Sequence, residues 1–235
     1  GLTGGTITPT AYSFNTTACF SAIAYTGNYT SGATVPHGLG VKPNMILVKN
    51  LSTAVDWAVY HSALGATKYM NINTDSGAGT ASTRWNDTEP DASVFTIGNT
   101  DLVNTNGDDY IAYCFANVPG YSAFGSYASN SNTNGPFVYT GFRPAWTLIK
   151  ESSGSNPWVL DDVKRETINE MEKPLKPNNT DGTYAGSAYG IDFLSNGFKI
   201  RNNDSTYNGS SNDFIYAAFA EFPIVSSNDV PTVAR

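Results

Sequence analysis

The chain has 235 residues, a formal charge of −7 and a pI of about 4.7, with 40% apolar and only 14% charged residues. A chain this long makes one large or two small domains and buries a core without metal or disulfide support. Net acidity with no Lys/Arg cluster excludes a phosphate-tracking nucleic-acid binder and an anionic-membrane binder, and apolar runs as short as Met45-Ile46-Leu47-Val48 exclude a transmembrane helix.

Tyr, Phe, Val and Thr, the strand formers, are abundant, whereas Leu, Glu, Lys and Arg are scarce, so the chain reads as all-β. Residues 1–19 are a Gly/Thr/Pro-bearing lead-in; Gly1-Leu2-Thr3-Gly4-Gly5 has neither an initiator Met nor a signal-peptide pattern and reads as the interior of a longer chain. Pro36-His37-Gly38 is a turn ahead of a buried strand, Met45 to Lys49. Trp57-Ala58-Val59-Tyr60 alternates large and small, the period of a half-buried strand. Ser76 to Ser82 has the composition of a flexible loop, and Thr83-Arg84-Trp85-Asn86-Asp87 lies between polar segments. Val94 to Ile97 and Tyr110 to Ala116 are strands, the second entered through the turn residues Asn106-Gly107-Asp108. After Pro119-Gly120 come strands at Trp146 to Lys150 and around Trp158. Val163 to Lys173 reads as a loop with one helical turn. Phe193 to Ile200 is a hairpin about Asn196-Gly197, and Phe214 to Ala220 is the closing strand. Residues 226–235 are a polar tail.

The chain repeats itself. Gly40-Val41-Lys42-Pro43 through Lys49 matches Gly141-Phe142-Arg143-Pro144 through Lys150 at an offset of 101, and Trp57 meets Trp158 at that same offset. Val94 to Ile97 matches Gly197 to Ile200 at 103, and Asp109 to Ala116 matches Asp213 to Ala220 at 104. The expected organisation is two tandem homologous antiparallel β-sandwich-like domains, residues 20–120 and 121–225. Trp57, Trp158, Phe115 and Phe219 are the expected core anchors.

Several blocks carry a family resemblance: Tyr25-Thr26-Gly27-Asn28, Thr34 to Gly40, Asp56 to His61, Gly65 to Lys68, Gly135 to Pro144, Phe193 to Phe198 and Tyr216 to Glu221. Over residues 10–225 the chain resembles tail-fibre-like and other virion surface proteins of bacteriophages, common in phages of aquatic bacteria. The resemblance implies a structural protein of a virion surface appendage, contacting other virion proteins and assembling as a homotrimer. It assigns no catalytic residue and no cofactor.

Candidate chemistry is sparse. The only histidines are His37 and His61, no Gly-x-Ser-x-Gly elbow positions a serine, and no His/Cys cluster has zinc-ligand spacing. Asp161-Asp162 and Asp108-Asp109 are adjacent pairs, which on a strand point to opposite faces and so do not flank one glycosidic bond. Cys19 and Cys114 lack matched spacing and read as partly buried thiols, with a single bridge as the alternative. The candidate ligand site is Trp85, with Arg84, Asn86 and Asp87 beside it: packing is the favoured reading of that ring, and stacking on a sugar is the alternative. The expected function is non-enzymatic: a tail fibre or similar appendage adhering to host-surface glycan. A decoration or assembly protein with no receptor role and a polysaccharide depolymerase are the alternatives.

Overall fold

The computed structural model describes residues 2–180 and 185–221. The protein is all-β, with 39% of residues in strands and 5% helical, and the strand pairs are antiparallel. The chain divides into two compact units, Gly1–Asn73 with Ala78–Asn117, and Thr74–Gly77 with Val118–Arg235.

Unit 1 contains β1 (Ala11–Asn15), β2 (Phe20–Thr26), β3 (Ala33–Pro36), β4 (Met45–Asn50), β5 (Ala58–His61), β6 (Lys68–Asn71), β7 (Gly79–Thr80), a one-turn helix α1 (Ser82–Trp85), β8 (Val94–Ile97) and β9 (Asp109–Phe115). One sheet has the order β1-β2-β9-β4-β5-β6-β7, and β3 pairs with β8 in a second, small one. Period-2 alternation turns Ile23 and Tyr25, Ile46 and Val48, and Tyr110, Ala112 and Cys114 to one side, where Val35, Phe95 and Ile97 of the small sheet meet them. Burying each of the larger side chains, Ile23, Val35, Ile46, Val48, Phe95 and Ile97, contributes roughly 1.5–3 kcal/mol.

Unit 2 contains β10 (Ser122–Ala128), β11 (Phe137–Tyr139), β12 (Pro144–Glu151), β13 (Val159–Asp162), β14 (Ile191–Leu194), β15 (Gly197–Ile200), the one-turn helix α2 (Ser205–Asn208) and β16 (Asp213–Ala220). Its sheets have the orders β10-β16-β12-β13 and β11-β15-β14, enclosing Ile149, Val159, Ile191, Phe193, Phe198, Ile200 and Phe214.

The order β2-β9-β4-β5 in unit 1 has the same sequence of roles as β10-β16-β12-β13 in unit 2, and the registers coincide. Lys49 faces Ile111 and Lys150 faces Ile215; Leu47 faces Val59 and Leu148 faces Leu160. Side chains repeat as well. Tyr25 stacks on Tyr110 at 5.2 Å and donates to Val103 O at 2.8 Å, while Tyr127 stacks on Phe214 at 5.0 Å and donates to Tyr207 O at 2.8 Å. Fully buried Asn104 holds a loop through Gly98 O and Thr30 O, and fully buried Asn208 does so through Asn202 O and Asn132 O. A buried amide that satisfies both its oxygen and its nitrogen locks the adjoining turn, because leaving either unmet costs about 1–3 kcal/mol.

Several expectations need correction. Trp57, Phe115 and Phe219 are half-buried and lie outside the two core clusters. Alternation turns Tyr110, Ala112 and Cys114 inward, so Phe115 takes the opposite face, where it packs with Phe20 at 5.0 Å; Phe219 packs with Trp146 at 5.5 Å and Trp57 stacks on Tyr113. Trp158, by contrast, is 1% exposed and is one of the largest fully buried side chains, as expected of a core anchor. The lead-in is integral to unit 1: residues 11–15 form β1 and Ile7 enters the core. The stretch 76–82 is not simply loop, since Gly79 and Thr80 pair with β6; the Tyr69 ring lies where a Gly79 side chain would stand. The β14–β15 hairpin turns at Ser195-Asn196, with Gly197 already paired to Leu194. Glycine is required there because a Cβ would collide with Val138 O. Residues 163–173 form turns and bends, without a helix. The tail, 226–235, lies outside the described residues.

Candidate functional site

α1 places the four residues expected to bind ligand, and it separates them. Trp85 is 1% exposed, belongs to the unit 1 core and meets the Tyr60 ring edge-on at 6.0 Å. It offers no face to a sugar, so the packing reading of Trp85 holds and the stacking alternative does not. The alternation-free segment gave no sign that one helical turn would carry the indole inward. Arg84 lies over the Tyr69 ring at 4.6 Å, a cation–π contact that fixes the guanidinium against β6. Asn86 is half-buried and Asp87 is exposed.

Asn86 ends α1 in the left-handed region at φ 51°, its N–H bonded to Ser82 O at 2.7 Å. Asp87 follows at φ 49°. Asparagine and aspartate tolerate this region better than most residues, so the Asn-Asp pair stops the helix after one turn. Asn86 Oδ1 accepts from Ser31 Oγ at 2.9 Å, joining this turn to the loop between β2 and β3. In that loop Asn28 Oδ1 accepts from Thr30 N at 2.9 Å, and Tyr29 N donates to Asn104 O at 3.0 Å. The result holds Tyr29 at φ 58° with its ring 57% exposed.

The surface group therefore consists of exposed Tyr29, Thr30, Ser31 and Asp87 with half-buried Asn86: one aromatic face beside hydroxyl, amide and carboxylate groups. The backbone strain by itself does not mark function. Unit 2 has the same turn, with Ser131 at φ 53° and Asn130 Oδ1 accepting from Asn132 N at 3.1 Å. What differs is the side chain at the apex, a tyrosine in unit 1 and a serine in unit 2. The run Asn28-Tyr29-Thr30-Ser31-Gly32, one aromatic inside turn-forming residues, is the sequence signal that would have pointed to it.

The buried ionisable groups serve packing. Asp161 accepts from Tyr207 Oη at 3.0 and 3.1 Å and from Thr147 Oγ1 at 3.4 Å. Burial raises its pKa to about 7, against the pull of those hydrogen bonds, and Glu166 adds to the rise. The Lys150 ammonium donates to three carbonyls, Glu151 O at 2.7 Å, Asp75 O at 3.1 Å and Gly154 O at 3.4 Å, and burial lowers its pKa to about 8. His37 is buried, its Nδ1 accepting from Leu39 N and its Nε2 against Asp91 O; burial lowers its pKa. His61 Nδ1 accepts from Ala63 N. Both cysteines are free thiols. Among the described residues no group of three His, Cys, Asp or Glu is placed to hold a metal, and no helix is long and apolar enough to cross a membrane.

No curated protein and no solved structure matches the chain. A family model matches residues 2–223, nearly the whole length, and the chain belongs to that family, described as Domain of unknown function (DUF7483).

Proposed function

We propose that this chain is a non-enzymatic structural protein of a bacteriophage virion, part of a tail fibre or similar surface appendage, and that unit 1 contacts host-surface glycan through the Tyr29 loop. The appendage reading is supported by the sequence blocks that resemble such proteins. The glycan reading is carried by Tyr29, a large aromatic ring held out from a pinned turn beside Ser31, Asn86 and Asp87. A sugar presents an apolar face for a ring and hydroxyls for amide and carboxylate partners, and a pinned platform loses little entropy on binding. On this reading both units arose by duplication of one, and the appendage is a homotrimer.

Glycan-array binding of the wild type and of Tyr29→Ala tests the adhesin reading. Wild-type binding that Tyr29→Ala abolishes supports it; absence of binding, together with tight capture by another virion protein, makes the chain an architectural decoration protein. Fitting the chain into density for an intact particle tests the virion reading, and the mass in solution tests the trimer.

A further inference from the structure

We infer that the outer edge of β11 is a pairing edge for a second copy of this chain, joined antiparallel about a twofold axis at Val138. The inference is independent of the glycan reading.

The hydrogen-bond pattern fixes which groups face outward. Pro136 O accepts from Ile200 N and Thr140 N donates to Asn196 O, and Val138 stands opposite Phe198 between them. In an antiparallel ladder the bonded residues alternate, so residues 136, 138 and 140 face β15. The N–H and C=O of Phe137 and Tyr139 consequently point away from the sheet, and β11 is its terminal strand. Such an edge is a template for another strand unless something blocks it.

Unit 1 shows what this position does when it is covered. Val35 faces Phe95 as Val138 faces Phe198, so Thr34 corresponds to Phe137. Thr34 O accepts from Ile7 N at 3.0 Å and Thr34 N donates to Thr6 Oγ1 at 2.8 Å, and Ile7 is buried behind them. The lead-in closes that edge. Among the described residues no segment does the same for β11, and Phe137-Val138-Tyr139 contains none of the charges or prolines that discourage pairing.

The edge is complementary to itself. With Val138 opposite Val138 of a second copy, each Phe137 faces the other copy's Tyr139, and both residues have donor and acceptor directed across the gap. Directly opposed residues point to the same face, so Phe137, 45% exposed, and Tyr139, 67% exposed, pair across the join. Aromatic side chains bury roughly 150–250 Å² each, so these two rings cover far less than the roughly 800 Å² per partner of a stable interface. The association is therefore weak and concentration-dependent.

The test is backbone hydrogen exchange of the full chain over a dilution series, with sedimentation of the wild type, Tyr139→Pro and Tyr139→Thr. In the wild type the Phe137 and Tyr139 amides gain protection as concentration rises, while the Val138 amide is protected throughout. Tyr139→Pro removes an outward N–H without touching the β15 ladder and abolishes the edge pairing; unchanged protection at Val138 and Phe198 shows that it folds. Tyr139→Thr keeps the amide and associates, more weakly. The proposed trimer needs a different, non-twofold interface and survives Tyr139→Pro; further concentration-dependent association that Tyr139→Pro leaves unchanged overturns the inference. So do a wild type whose mass does not rise with concentration into the millimolar range and an edge-paired form in which these two amides still exchange freely.

Discussion

Asp161→Asn tests whether one buried acid sets the pH response of unit 2. The wild-type carboxyl is 2% exposed, and its pKa stands at about 7 against an ordinary 3.8, chiefly because burial penalises the charge. An acid whose pKa is raised by folding binds more protons folded than unfolded between the two values. Its penalty is absent below the unfolded pKa, grows as pH rises, and is complete above about 7. A rise of about three pH units at ~1.36 kcal/mol each makes the penalty about 4 kcal/mol. Neighbouring Tyr207 and Tyr127 have pKa values raised by burial and stay neutral across this range, so they do not confuse the result. Asparagine keeps the shape and an oxygen for Tyr207 while removing the charge. The assay is urea unfolding between about pH 4 and about pH 8, read by pulsed hydrogen exchange of β13 and β16 and compared as variant against wild type. The variant gains on the wild type steadily as pH rises and is more stable by about 3–4 kcal/mol at the alkaline end. Parallel pH dependences, or a variant less stable at the alkaline end, would refute the reasoning.

Other outcomes follow from the same geometry. Tyr29→Ala leaves unfolding free energy within about 0.5 kcal/mol of wild type, since the ring is exposed, whereas Trp85→Ala costs about 3–5 kcal/mol through the cavity it opens; chemical denaturation measures both. Asn104→Ala and Asn208→Ala each cost about 2–4 kcal/mol, because each strands one buried and one part-buried backbone carbonyl, and the similar loss in two units is a test of their equivalence. Burial pushes the Cys114 thiol up to about 12, so iodoacetamide reaches it only on unfolding; half-buried Cys19 reacts first, as peptide mapping over time would show.

Much of the fold was legible in the sequence, for a physical reason. Strand-forming residues at period 2, bounded by Gly, Asn and Asp, leave few alternatives to antiparallel sheets, and the runs at Met45, Val94, Tyr110 and Phe214 became β4, β8, β9 and β16. Matching blocks at nearly constant offset likewise anticipated that β4 and β12 would take the same neighbours in the same register. Facing was harder to read. Composition identifies Trp57, Trp85 and Phe115 as large and apolar, but the side to which each points depends on where its strand or helical turn begins. One turn of α1 carried Trp85 into the core, and the phase of β9 turned Phe115 away from it. The exposed Tyr29 exists because Asn104, far along the chain, pins the loop from below, and no local pattern encodes that contact. The open edge of β11 is equally a tertiary fact. Phe137 and Thr34 occupy one place in two similar units, and only the lead-in's position beside β3 decides that one edge is covered while the other faces outward.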